Sequence, residues 1–508
     1  MLENSTNNKR IAKNTMFLYF RMLLIMAVTL YTSRVYLHIL GETDFGIYNI
    51  VGGVIVLLSF VSSSLANSTQ RFLNYEMGSG EDGDVSMVFS TSMIIYLLFS
   101  VVFLIVGETI GLWFLNTQMN IPVERMTAAN WVYQFSLAGF VVNMLRVPYN
   151  ATIIANERMN FYAYFSILEA VLKLSVAIIL LKWGDVDKLI MLSVLTFVVF
   201  ALITFFYKIY CNRNFVSTRF YAIWDKTRLK QLLSFSGWSL LGSSANMGAT
   251  QGGNIIINIF YGVTVNAAVG VATQLVQGIN QFVTNFQMAY NPQLVKLYAS
   301  GQTKEFTSLI FRSSKFSYFL LLMIAVPSML CMDFILNIWL GTVPKYTADF
   351  CNLIMMYSLL DAASAPLYLS VQAVGKIKNY QILMSLIIIL NLPLTYIALR
   401  LGMSPLSAWI IRVAINAVVY LVRIFYLKGL IHLQVLNYFR KVIIPLLIVT
   451  SLAFPIPYFL NGCYSNWLNL LVVTITSSII ILALVYIIGL DKGEKQFITT
   501  LIKKYVIK

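Results

Sequence analysis

Charge is what this sequence has least of. Only 11% of its 508 residues are Asp, Glu, Lys or Arg, where a soluble domain carries about 25%. With 59% hydrophobic residues and a mean hydropathy of +0.77, that shortage excludes an ordinary water-soluble enzyme. It also excludes a disordered chain, which needs low hydrophobicity and high charge. Cysteine is scarce: Cys211, Cys331, Cys351 and Cys463 are far apart and lack CxxC spacing, so neither a zinc site nor a disulfide framework is indicated. The two histidines, His38 and His432, have no metal-like spacing and suggest no Ser-His-Asp triad. No GxxxxGK[ST] motif occurs, because Gly375-Lys376 is followed by Ile377, so the chain itself does not hydrolyse ATP. No cofactor is implied. Acidic residues are few, 20 against 36 basic, giving a net charge of +16. Nothing else points to nucleic acid. In so apolar a chain the excess reports which side of a bilayer each loop occupies.

What the chain has instead is long apolar runs. A helix needs about 20 mostly apolar residues to cross roughly 30 Å of hydrocarbon. Fourteen segments qualify: 14–39, 45–67, 86–107, 129–154, 160–182, 187–210, 232–259, 264–290, 316–339, 348–373, 379–400, 404–427, 440–461 and 466–489. No ten-residue alternating pattern of a β-barrel is present. The first run is too long for a signal-peptide core and is read as a retained span. With the N-terminus placed inside, 26 Lys and Arg fall on inner segments and 5 on outer loops. That bias predicts an even span number with both termini cytoplasmic.

The six spans before the basic loop at 208–231 resemble the six after it. At an offset of 221, Gly41 meets Gly262, Leu73 meets Leu294, and Ser79-Gly80 meet Ser300-Gly301. At 218, Pro148 meets Pro366, Arg158 meets Lys376, Tyr162 meets Tyr380 and Gly184 meets Gly402. An even span count per half makes the repeat parallel, with its axis along the membrane normal, and implies a central cleft and rocking between two open states. The expected organisation is a six-helix lobe over 1–212, a basic cytoplasmic linker over 213–231, a second six-helix lobe over 232–430, and two extra spans with a basic tail over 431–508.

Ionisable groups inside spans are costly and mark function by default. They are Arg21 and Arg34 on span 1, Arg146 on span 4, Glu169 and Lys173 on span 5, Asp361 on span 10 and Arg412 on span 12. Arg21 and Arg34 lie near enough to the interfaces to snorkel. Glu169 and Lys173, four residues apart, share one helix face and can neutralise each other. Arg146 sits deeper, just before the helix-kinking Pro148. On span 8, Gln274, Gln277, Gln281 and Asn285 fall at 0°, −60°, −20° and +20° on a helical wheel, one amide stripe. Ser59, Ser63, Asn67 and Gln70 make a smaller one on span 2. Lipid penalises such stripes, so they face water or protein. Amides and hydroxyls suit sugars, and arginines suit phosphate, which a guanidinium binds bidentately. Asp82-Gly83-Asp84 and Asp185-Val186-Asp187 look like the metal-binding DxD of glycosyltransferases, but short acidic motifs are common in solvated loops.

The opening Asn14-Thr15, Arg21, Ser33-Arg34, Leu40-Gly41-Glu42, Phe45-Gly46-Ile47-Tyr48 and Gln70-Arg71-Phe72 resembles polysaccharide-export flippases of the multidrug/oligosaccharidyl-lipid/polysaccharide superfamily, nearest the O-antigen (Wzx-type) branch. The likeness runs through nearly the whole chain in its fourteen-span, 6+6+2 layout. It implies an all-α integral membrane protein: two parallel six-helix bundles in a V-shaped, MATE-like arrangement plus two C-terminal helices, in a bacterial inner membrane. It implies movement of undecaprenyl-pyrophosphate-linked oligosaccharide from the cytoplasmic to the periplasmic leaflet, without enzymatic chemistry. Polymerase and glycosyltransferases of the same pathway, and membrane lipids, would be its partners. Lipid II flippases of that superfamily use cavity arginines on the first spans, where Arg21 and Arg34 lie. Some members couple to a proton or sodium gradient, for which Glu169 and Asp361 are the candidates. Arg146 and Lys173 are substrate candidates from burial alone, and the span 8 amides are sugar contacts. Two other readings stand beside this one: a cation-coupled multidrug exporter of the same fold, which would want acidic rather than basic residues, and a membrane glycosyltransferase using an Asp pair.

Overall fold

A computed structural model describes residues 2–80, 83–119, 121–182, 187–221, 225–463, 465–491 and 493–495. They are helical throughout their ordered elements, and no strand occurs among the described residues. Helices are what a chain this apolar must form, since each satisfies its own backbone hydrogen bonds where no water reaches. In chain order they are α1 (Leu2–Gly78), α2 (Val85–Thr117), α3 (Val123–Ala155), α4 (Met159–Leu181), α5 (Lys188–Asn214) and α6 (Lys226–Ala299). There follow α7 (Thr303–Leu330), α8 (Met332–Leu340), α9 (Thr347–Val374), α10 (Lys378–Arg400), α11 (Ser407–Ile431), α12 (Val435–Leu460) and α13 (Asn466–Gly489). Ten of these are long and apolar enough to cross a membrane. The two longest, α1 and α6, are each broken once by a glycine, Gly41 and Gly262. Their four arms, each well over 30 residues and so about 45 Å or more in length, are long enough to cross a bilayer as well, which is compatible with the fourteen spans expected from the sequence.

The repeat is written in the backbone. Gly41 has φ 73°, ψ 174° and Gly262 φ 75°, ψ −174°, a region open only to glycine. Gly80 and Gly301 likewise share φ 68° and 70°. Pro148 and Pro366 both sit inside helices, α3 and α9. The structure adds one further pair: Glu157 (φ 57°) and Gly375 (φ 86°), also 218 apart, both turn left-handed just past those helices. Gly184, the expected partner of Gly402, lies outside the described residues.

The chain forms two compact units, one of Arg10–Leu240 and one beginning at Leu241. The first turns of α6 belong with the first unit because Ser64 and Ser68 donate to the Ser236 and Leu232 carbonyls at 2.8 and 3.2 Å, and Phe72 meets Phe235 edge-on. Within this unit α2 runs beyond the expected 86–107. A π-turn over Gly107–Gly111 carries it on, and Tyr133 of α3 donates its hydroxyl to the Gly107 carbonyl at 2.7 Å. Glycine lets the turn press against α3: a Cβ on Gly111 would lie 2.0 Å from the Tyr133 hydroxyl, and one on Gly107 2.7 Å from a methyl of Leu137.

In the second unit α12 and α13 pack on α7. Tyr438 donates to Ser314 and shares a hydrogen bond with Tyr420, both at 3.0 Å; Tyr318 pairs with Thr450 at 2.8 Å. Lys315, one of the 26 basic residues tallied on inner segments, is only 1% exposed; its ammonium donates to the Gly489 carbonyl at 3.0 Å and to Glu494 at 2.7 Å. Arg423, in the same tally, is also buried, within α11. A basic residue near a span end reads as a topology signal unless its helix partner is known.

Candidate functional site

The first unit gathers its intramembrane ions into one cluster. Glu169 of α4 accepts from Arg146 of α3 at 2.7 Å and from Lys173, one turn along α4, at 2.8 Å. Sequence spacing gives only the second pair; the first depends on how α3 and α4 pack. Arg21 of α1 reaches the Ser166 hydroxyl at 3.4 Å and lies 4.6 Å from the Tyr162 ring. Arg146 faces Tyr207 at 5.5 Å, and Lys173 faces Phe200 at 4.7 Å. Tyr36 donates to the Lys173 carbonyl at 3.1 Å. Two cations thus share one carboxylate, with Arg21 close by on Ser166, in partly buried surroundings where water screens little. Glu169 serves as the shared counter-ion that holds Arg146 and Lys173 in place. Neither Lys173 nor Arg146 is sealed: their side chains are 36% and 21% exposed. The aromatic partners Tyr162 and Tyr207 carry no ionic signal in the sequence, although Tyr162 is a repeat position. The Arg34 and Ser59 side chains lie outside the described residues.

The second unit carries a different arrangement. Asp361, midway along α9, is exposed, and no cation lies within 4 Å of it among the described residues. Two arginines lie within electrostatic reach of it. Arg423 is buried, donating to the Ser364 hydroxyl at 2.7 Å and carbonyl at 3.1 Å beneath the rings of Tyr368 and Tyr380. Arg412 donates to Thr250 at 2.6 Å and lies 5.2 and 4.9 Å from the Tyr357 and Trp409 rings.

Gln274, Gln277 and Gln281 are exposed along one face of α6, with Thr284 continuing the row. Asn285, assigned to the same row from the wheel, is buried, its amide donating to the Gln281 carbonyl at 2.9 Å. Its place on the stripe's edge turns it inward. Asn280 instead ties α6 to Ser358 of α9 at 2.9 Å. A second amide row, which the sequence reading missed, lies on the earlier arm of α6: Asn246, Thr250 and Asn254, whose i, i+4 spacing is its signal. In the first unit Ser63 and Asn67 are exposed on α1.

The acidic loop motifs hold the backbone in place. Asp84 caps α2, accepting from the Met87 amide at 2.9 Å. Asp187 caps α5 through the Leu189 amide at 3.0 Å and pairs with Arg125 at 2.6 Å, and Arg125 also forks onto Asp44. Asp82 and Asp185 lie outside the described residues. Among the described residues no three His, Cys, Asp or Glu side chains are grouped to hold a metal.

No family model matches the chain, and no curated protein does. Solved structures do. A MATE point mutant superposes with a TM-score of 0.71 at 14% identity, over 83% of this chain and 96% of its own. An outward-facing multidrug resistance MATE family transporter of the MOP superfamily gives 0.70 at 15%, over 83% and 96%. A MOP superfamily transporter from Pyrococcus furiosus Vc1, described by the reverse polarity of its binding pocket as suggesting a different function, gives 0.68 at 15%, over 84% and 96%. Likeness at this identity establishes the fold these chains share.

Proposed function

We propose that this chain is a membrane transporter of that fold, acting by alternating access to flip lipid-linked (undecaprenyl-pyrophosphate) oligosaccharide from the cytoplasmic to the periplasmic leaflet. The observation that carries the reading is that Arg146 and Lys173, two cations on membrane-length helices, share the single carboxylate of Glu169, with Arg21 on the neighbouring Ser166. Two cations on one carboxylate leave a positive excess that is expensive at membrane depth, and an anionic ligand is what would offset it. Arg146 offers a guanidinium for bidentate contact with pyrophosphate. Lys173 adds a mobile charge. The tyrosine faces and the exposed glutamines of α6 suit sugar rings and hydroxyls. The lipid tail needs no protein site, since it stays in the bilayer. Asp361, an intramembrane acid without an ion partner, is the candidate for proton or sodium coupling. Polymerase and glycosyltransferases of the same pathway are the proposed protein partners, and the inner membrane the proposed location, with both termini cytoplasmic.

Arg146→Ala should abolish surface-polysaccharide export in a complemented deletion strain while leaving membrane abundance unchanged. Arg146→Lys should retain a fraction of it, since charge survives and bidentate geometry does not. Normal polysaccharide from Arg146→Ala would refute the role. A multidrug exporter is the second reading, favoured by the multidrug description of one solved neighbour and by the exposed Asp361. The excess of cations in the first unit weighs against it, because an organic cation would be repelled there. The neighbour of reversed pocket polarity is a precedent for function varying with charge on this fold. Drug efflux by the intact protein, with no polysaccharide defect on deletion, would reverse the choice.

A further inference from the structure

We propose that the turn closing α5, residues 215–221, is a lipid-binding platform that grips the headgroups of anionic phospholipids in the leaflet where α5 ends. The proposal rests on the chain crossing a membrane and is independent of what it transports. Four observations carry it.

First, the turn follows directly on the end of a membrane-length helix. The chain exits at Asn214 and begins α6 at Lys226.

Second, it is a built element. Phe215 donates its amide to the Cys211 carbonyl at 2.8 Å, a 3-10 turn follows over Val216–Thr218, and Thr218 is buried with its hydroxyl 2.8 Å from the Phe215 carbonyl. The Tyr221 amide donates to Ser90 of α2 at 3.2 Å. Asp225 caps α6 through the Thr227 amide at 2.8 Å, and Arg228 locks onto Glu76 at 3.0 Å.

Third, this pinned turn presents apolar side chains outward: Val216 is 73% exposed, Phe220 46% and Tyr221 48%. A structured loop that only faced water would not hold three such groups out.

Fourth, the apolar groups are interleaved with exposed cations. Arg213 and Arg219 flank them, and Lys208 precedes them one helix turn inside. The stretch 208–221 contains no acidic residue, and none of the three has a carboxylate within 4 Å among the described residues. Arg228, by contrast, is spent on Glu76 and Asp225.

Exposed aromatic rings with guanidinium groups beside them match an anionic phospholipid surface, apolar below the phosphate and negative at it. A topology signal alone explains the charges but not the rings or the pinning.

The test uses the full-length protein with defined lipids. Purified wild type is titrated with phosphatidylglycerol or phosphatidylcholine and bound lipid is counted by native mass spectrometry. Wild type should retain phosphatidylglycerol preferentially. Each arginine contributes about 1 kcal/mol at such a surface, so Arg213→Gln/Arg219→Gln should weaken retention roughly 25-fold. Phe220→Ser/Tyr221→Ser should weaken it with every charge intact. Arg400→Gln, at the far end of its helix, should change nothing. Equal retention of the two lipids by wild type, or full phosphatidylglycerol retention by the arginine double variant, would overturn the proposal.

Discussion

One arginine ties three helix ends in the first unit. Arg125, at the start of α3, holds Asp44 just past the Gly41 break and Asp187 at the cap of α5. Burial by itself would raise the Asp187 carboxyl. Hydrogen bonds from the Arg125 guanidinium and the Ile190 amide outweigh it, and its pKa lies below the ordinary carboxylate value. A depressed folded pKa contributes stability that is fully present above the unfolded value of about 3.9 and is lost as pH falls through the folded one. Because the three side chains remain 20–28% exposed, the ion pairs are worth about 1 kcal/mol at most. Asp187→Asn keeps a competent cap and removes only the charge. It should lower thermal stability slightly at neutral pH and flatten the loss on acidification, as followed by unfolding fluorescence in detergent. Wild type and variant curves that fall in parallel from about pH 5 to pH 3 would contradict this.

Among the elements, α2 depends most on a detail. Its π-turn brings two glycines against α3 so closely that a methyl group at Gly111 collides with the Tyr133 hydroxyl. Overpacking of this kind costs about 1–3 kcal/mol. Gly111→Ala should therefore destabilise the protein by that amount. Adding Tyr133→Phe should recover part of it by removing the colliding oxygen, although it forfeits the bond to the Gly107 carbonyl. A double variant no more stable than Gly111→Ala alone, measured by thermal unfolding, would place the strain elsewhere. The apolar runs announced α2 and α3, but nothing in their periodicity told of the turn. Local hydropathy sets where a helix can run, and only the neighbouring helix decides which residue must shrink.

For the molecule as a whole, the last two helices are held by a buried charge. Lys315 is enclosed with Glu494 and caps the C-terminal carbonyl of α13 at Gly489. Removing one member of such a pair strands the other charge, at a cost of about 3–5 kcal/mol, whereas an apolar replacement of both is often neutral. Lys315→Ala should sharply lower the melting temperature, and Lys315→Met/Glu494→Leu should restore much of it. Equal destabilisation by the single and double variants would show that the carbonyl contact, and not the ion pair, is what matters. The same principle separates the two halves of the repeat. Both kept the glycine break and the proline helix, yet the first pairs its intramembrane acid with two cations while the second leaves Asp361 apart from its arginines.

Sequence alone determined the all-α character, the apolar runs behind the ten membrane-length helices, the doubled plan and the four glycines that share its turns. Those follow from one-dimensional quantities: apolar run length, charge density and spacing. It also named nearly every intramembrane ion, because lipid makes any such residue conspicuous. Which of them pair was decided by tertiary structure. Arg146 and Glu169 are 23 residues apart on different helices, Arg423 and Lys315 looked like loop cations, and Asn285 turned inward from its stripe. An ion pair needs two helices in register and burial needs a neighbour, and neither distance is contained in the spacing along one helix.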